Sequence, residues 1–219
     1  MQMHGAVRTV VDWLTGDPSA TPSVAELDAR LEEAWDLQRL GDQGYSDDFK
    51  LIAKHLVGFF VGSREGYKKS LPREMRLAVA GGEIVVRPDE VLIGKGGQTH
   101  VRSVRTGHAT SKELETVATA VFTLAAHGAF PGCTVEFVHL SDATVRAASM
   151  KPKTLVNRQA TAEEALADIR AGRFPRDESP RTCPRCPAFF ICGPVPAGAI
   201  EKTSQNSRPA LPVGPFRSD

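Results

Sequence analysis

REMRLAVAGGEIVVRPDEVLIGKGGQTHVRSVR, residues 73–105, decides the fold. Met75, Leu77 and Val79 alternate with Arg76 and Ala78, the period of a half-buried strand. Gly81-Gly82 predicts a hairpin turn into a second strand over 83–93. Lys95-Gly96-Gly97 predicts a further turn, into a third strand over 98–105. The stretch therefore reads as a three-stranded meander.

Upstream the period is helical. Val7, Val10, Val11 and Leu14 predict a helix over 5–14, followed by the turn-rich GDPSATPS. Ser23 and Glu26 form a capping-box pattern that opens a helix to about residue 40. A third helix over 47–61 carries Ile52, Leu56 and Phe60 on an apolar stripe. Downstream, Thr110 and Glu113 predict a capped helix to 127, then strands over 134–140 and 144–149. Thr161 and Glu164 predict a last capped helix to 171. Helices, a meander, a crossover helix, two strands and a helix imply an α/β sandwich with a mixed sheet.

Composition sets the outer limits. The 219 residues are 41% hydrophobic and 24% charged, enough for one buried core with a small appendage. The formal charge of +1 says nothing about partners, so any case for nucleic acid rests on local charge. No apolar run approaches the roughly 18 residues of a membrane span. The N-terminus lacks a basic region followed by an apolar core, so it does not read as a secretory signal. A cytoplasmic location is the expectation.

Three of the four cysteines fall in ten residues, Cys183, Cys186 and Cys192, spaced C-x2-C-x5-C. Thiolates three residues apart can meet one metal, because the turn between them brings both sulfurs to one side. In a reducing compartment such a trio reads as a metal site rather than as disulfides. A structural zinc knuckle is one form of it. Cys133 is either a buried core thiol, the commoner fate of a free cysteine, or a fourth ligand.

RTCPRCPAFFICGPVPAG, residues 181–198, resembles the C-terminal cysteine segment of RecB-like domains of the PD-(D/E)XK nuclease superfamily. Such domains occur fused to UvrD/Rep-type helicases, in the AddB subunit and in CRISPR-associated nucleases. The resemblance covers roughly residues 1–198, and the strand order fits the superfamily's αβββαβ core. It implies a nuclease-like domain over 1–175 and a cysteine segment over 176–198; the tail over 199–219, rich in Pro and Ser, reads as disordered. It also implies a [4Fe–4S] cluster on the trio, with zinc as the alternative.

The superfamily's motif residues can be matched singly. His4, behind Met3 on the opening helix, matches the first; Glu74 stands where an acid is common on the first strand; Asp89 stands late in the second. The third motif, D/E-x-K followed by Thr-Gly, aligns with Ser103-Val104-Arg105-Thr106-Gly107. Thr-Gly is kept, but the acid has become Ser103 and the lysine Arg105. The glutamine–tyrosine signature of the next helix is absent from ELETVATAVF.

These departures have chemical meaning. Residues two apart on a strand share a face, which is how D/E-x-K sets a metal ligand beside a cation. Serine is a poor ligand for a hard cation, and arginine cannot exchange a proton as lysine can. Arginine does grip phosphate through parallel hydrogen bonds. The expectation is a domain that holds DNA, single-stranded by preference, beside a helicase in cis or trans, and that has lost cleavage. An active nuclease using Mg²⁺ or Mn²⁺ at Asp89 is the alternative, and a metal-stapled interaction module is a third reading. Lys95, Arg102, Arg105 and Lys112, in a stretch without acids between Val91 and Lys112, are the candidate DNA contacts. The superfamily's upstream cluster cysteine has no room before His4, so the chain is expected to be part of a longer helicase–nuclease or a stand-alone remnant.

Overall fold

The computed structural model of the chain describes residues 2–17, 21–41, 44–70, 74–80, 82–110 and 112–173. Expectations for the cysteine trio, the 176–198 segment and the 199–219 tail lie outside those residues. The chain divides into two compact units, Met1–Ala167 and Asp168–Asp219. In the second, Arg173 Nε donates to Asp168 Oδ1 at 2.9 Å.

Three helices form one layer of the first unit: α1 (Gln2–Gly16), α2 (Val24–Leu37) and α3 (Ser46–Gly62). The capping box at Ser23 and Glu26 is formed as expected, each side chain bonding to the other residue's backbone N–H. The buried face of α1 holds Ala6, Val7, Val10, Val11 and Leu14. It packs on Trp35 of α2 and Phe60 of α3, and Val104, Val138 and Leu140 of the sheet complete this core.

The sheet is mixed, five-stranded and ordered β1-β4-β5-β6-β7. Its strands are β1 (Lys68–Ser70), β4 (Glu90–Ile93), β5 (Thr99–Arg105), β6 (Thr134–His139) and β7 (Thr144–Ala147). All neighbours are antiparallel except β5 and β6, which pair parallel from His100↔Thr134 to Arg105↔His139. Parallel neighbours need a long crossover, and α4 (Val117–Ala129) supplies it. Two strands, β2 (Met75–Val79) and β3 (Gly82–Val86), form a separate hairpin. Met75 and Leu77 of the hairpin share a second core with Phe122 of α4 and with Val101, Val135 and Phe137 of the sheet. Helix α4 is buried around most of its circumference, which suits its run of Ala, Phe, Leu and Thr.

The expected meander is corrected in two ways. The strand predicted over 83–93 is two strands, β3 and β4, in different sheets. Pro88 lacks an N–H and fixes its own φ, so a ladder cannot continue through it. Asp89 N then donates to Arg102 O at 3.0 Å as the chain enters the main sheet. The place beside β4 that β2 was expected to fill is taken by β1. Gly97, at φ +80°, turns β4 into β5 as its spacing predicts, with Gly94 N donating to Gln98 O at 2.8 Å.

Two helix starts also differ. The predicted cap at Thr110 is replaced by a 3-10 turn, Glu113–Glu115, and Thr116 caps α4 by accepting from Thr119 N. The last helix, α5, spans Pro152–Arg170, and Thr161 bonds back to Asn157 O inside it rather than opening it. Among the described residues no helix is long and apolar enough to cross a membrane.

Candidate functional site

At the carboxyl end of β5 the fold brings together Arg105, Asp89 and a residue of α1, Arg8. One helical turn separates His4 from Arg8 on α1, so both project from the same face of that helix. Arg8 Nη1 donates to Val104 O at 3.1 Å, its Nη2 meets Asp89 Oδ1, and its Nε pairs with Asp12 at 2.7 Å. The other Asp89 oxygen accepts from Val104 N at 2.6 Å. Both carboxylate oxygens of Asp89 are therefore engaged, one by a guanidinium and one by the backbone of β5.

Arg105 leaves β5 on the opposite face. Its guanidinium lies 4.7 Å from the centroid of the Phe137 ring, and Nη1 pairs with Glu113. The second Glu113 oxygen lies 2.7 Å from Nε2 of His139, a fully buried ring. Burial, reinforced by Arg105 and Arg146, holds His139 below the usual histidine range. Burial also draws Arg105 down, though a guanidinium remains charged. Arg8, Glu113 and His139 are site residues that the sequence candidates lack; Thr110-x-x-Glu113 reads as a helix cap, and the other two carry no motif.

The loop after β5 is tied to the end of β6. Ser141 Oγ donates to Thr106 O at 2.6 Å, and Asp142 accepts from His108 Nδ1 at 2.5 Å and Ala109 N at 2.6 Å. These bonds hold the Asp142 carboxyl below its usual range. Between α1, this loop and the 3-10 turn lies an open cavity of about 460 Å³. Arg8, Arg105 and His108 line it with Thr106, Thr110 and Thr116, and among its described lining residues Glu113 is the carboxylate.

His4 sits near this site, half-buried, and Nδ1 has no hydrogen-bond partner among the described residues. Burial comes first among the causes that hold His4 low, and His108 adds to it. Ser103 is half-buried and pairs with Phe137 across the parallel ladder. Glu74 is not brought to the site. It precedes β2 on the separate hairpin and accepts from Arg87 Nη2 at 2.5 Å, which holds its carboxyl low.

The candidate DNA contacts also part company. Arg102, expected at a nucleic-acid surface, is buried in a line of charges that runs directly across three strands, Glu90↔Arg102↔Glu136. Its Nε donates to Glu136 at 2.6 Å and its Nη1 to Ser63 O at 3.0 Å, while Arg64 pairs with Glu90. Burial pushes the Glu90 carboxyl up against the pull of both arginines. Lys95 lines a different cavity, of about 400 Å³, with Tyr67 and His100 at the start of β5. Arg105 remains at the first cavity, and Lys112 is exposed but is not one of the residues that line it.

Cys133 is 5% exposed in the core around α4, where its thiol donates to Ala126 O at 3.6 Å. Burial raises its pKa, the reverse of what a thiolate ligand needs. Among the described residues no three His, Cys, Asp or Glu side chains converge as a metal-binding group. Compared with known proteins, the chain matches no family model and no curated protein.

Proposed function

We propose that this chain is a RecB-like domain of PD-(D/E)XK nuclease type that holds DNA for a helicase without cutting it. The engagement of Asp89 carries this reading. A carboxylate that binds a divalent cation must offer free oxygen, and Mg²⁺ demands near-octahedral geometry. Here the Arg8 guanidinium already supplies the positive charge at Asp89, and Val104 N–H takes the other oxygen. Ser103 and Arg105 offer no second carboxylate on the strand. The described residues thus do not fit Mg²⁺ or Mn²⁺ as they stand. What they do offer is guanidinium and imidazole groups around one cavity, the chemistry that grips phosphate oxygen.

Motif resemblance in 181–198 supports a [4Fe–4S] cluster on Cys183, Cys186 and Cys192, with zinc as the rival. Cys133, as a core thiol, does not fit as its fourth ligand. The parallel β5–β6 pair joined by α4 is compatible with the β-α-β part of the αβββαβ core, whereas the detached β2–β3 hairpin departs from a simple meander.

A second reading, a metal-dependent nuclease with shifted ligands, gains one observation. Glu113 brings a carboxylate to the cavity beside Arg105, on the face of β5 where Ser103 has none.

The two readings part in one experiment. Labelled single- and double-stranded DNA is incubated with anaerobically purified, folded protein and Mg²⁺ or Mn²⁺, beside Asp89→Ala and Glu113→Gln. Salt-sensitive binding without cleavage supports the holding domain. Cleavage that either substitution abolishes makes the chain a nuclease.

A further inference from the structure

We infer that the cavity at the ends of β5 and β6 takes a phosphomonoester, the phosphorylated end of a nucleic-acid strand, rather than an internal stretch of backbone. This rests on the DNA-holding reading and narrows it.

A groove that tracks a strand needs cations spaced along it, since each phosphate contact adds a similar electrostatic increment. The basic stretch from Lys95 to Lys112 looks like such a track in the sequence, but the sheet breaks it up. Lys95 stands at the start of β5, and seven strand residues, roughly 20 Å, separate it from the cavity at the other end. Arg102, between them, is sealed in the Glu90–Glu136 line and 2% exposed. The exposed side chains that can donate to phosphate therefore converge at a single point.

At that point they come from three elements. Arg8 reaches in from α1, Arg105 from β5 and His108 from the loop, and their side chains stay 40%, 34% and 77% exposed. Carboxylates hold all three in place: Asp89 and Asp12 pair with Arg8, Glu113 with Arg105 and Asp142 with His108, which leaves the exposed edges of the guanidinium and imidazole groups for a ligand. Thr106 and Thr110 line the same cavity, while the Thr116 hydroxyl is committed to the cap of α4. The volume of about 460 Å³ falls at the small-ligand end of binding cavities, room for about one nucleotide. A terminal phosphate carries nearly two negative charges against one on a diester, so convergent cations favour the terminus.

The test compares binding of one single-stranded oligonucleotide carrying a 5′-phosphate, a 3′-phosphate or hydroxyls at both ends, with a nucleoside monophosphate as competitor. The full chain is used, and circular dichroism checks the fold of each variant. One phosphorylated form should bind about tenfold tighter than the hydroxyl-ended one, the range of a charge-assisted hydrogen-bonding set. Its salt slope should correspond to one or two phosphates, at about −0.7 per phosphate. Arg105→Gln, and separately the exposed-site variant His108→Ala, should remove the preference, and Lys95→Gln should keep it.

Equal binding of phosphorylated and hydroxyl-ended strands, with a steep salt slope, overturns the inference and leaves the DNA-holding reading standing. Binding of the monophosphate alone, dependent on Arg105, overturns both and assigns the cavity to free nucleotides. No binding of either by folded protein sinks both together.

Discussion

The guanidinium of Arg8, on the second turn of α1, joins two residues that lie 81 and 96 positions further along the chain: it meets the Asp89 carboxylate and donates to the Val104 carbonyl. This contact pins the first helix to the end of β5. It also places a cation against the carboxylate that the sequence marks as a metal ligand. Because Asp89 is only 16% exposed, removing its partner leaves a half-buried charge with one backbone bond.

Arg8→Ala should therefore destabilise the domain by about 1–3 kcal/mol, the cost of a partly buried polar group left short of a partner. The lower half of that range is expected, since Arg8 itself is 40% exposed and water screens the pair. A double-mutant cycle with Asp89→Asn, read by urea denaturation, should give a coupling of about 1 kcal/mol. Additive effects would show that the contact only decorates the surface.

Arg102 makes a stronger case. Its neighbours on both sides of the ladder are acids, and all three side chains are buried. Removing one charge from such a line leaves the others uncompensated, so Arg102→Met should cost about 3–5 kcal/mol. The affinity of the fraction that remains folded for DNA should not change. A large loss of affinity at unchanged stability would return Arg102 to the binding surface.

Much of this fold could be read from spacing alone. The apolar stripe of α1, Leu56 and Phe60 of α3, the Ser23 cap and the Gly97 turn follow from residues that allow few alternatives, whereas Ile52, expected on the α3 stripe, faces outward. Strand β1 was missed because Lys68-Lys69-Ser70 has no apolar alternation. Lysines are what an edge strand uses to discourage further pairing, but they do not announce a strand. Pro152 did announce the start of α5, as proline at a first helical position does, and the Thr161 pattern hid it. At the site, Asp89 and Arg105 were legible because motif spacing points to them. Glu113 was not, since Thr-x-x-Glu reads equally as a cap, and only the fold turns that carboxylate towards Arg105 and His139. Arg8 gave no signal at all: an arginine on a helix surface is ordinary until the sheet that receives it is known.

Cys133 offers a separate check on the metal site. Its thiol packs among apolar side chains and bonds to Ala126 O, a complete structural role without a metal. Cys133→Ala removes one buried atom, and about 1 kcal/mol of stability is the expected loss. Iron, sulfide and zinc content of anaerobically prepared protein, with absorbance near 400 nm, should equal that of the unsubstituted chain. A drop in bound metal at equal folded fraction would make Cys133 a ligand after all.

His139 should make the domain sensitive to mild acid. Its ring is fully buried, and burial first, then Arg105 and Arg146, keep it below the ordinary value of 6.5. Asp142 and a backbone bond at Gly107 pull the other way, while the Glu113 carboxylate, 2.7 Å from the ring, is committed to Arg105. A histidine that resists protonation when folded takes up its proton more readily unfolded. The unfolded chain then binds more protons, and stability falls as pH drops below about 6.5 until the folded form titrates too. The contribution is thus present at neutral pH and lost on the acid side. Urea midpoints measured from pH 7.5 to 5.5 should fall more steeply for the unsubstituted chain than for His139→Gln. His4, also held low by burial, adds to the slope of both curves, so only the difference between them reports on His139. Parallel curves would mean that the ring takes its proton as easily in the folded domain as in water, and that the buried contact with Glu113 stabilises the imidazolium instead.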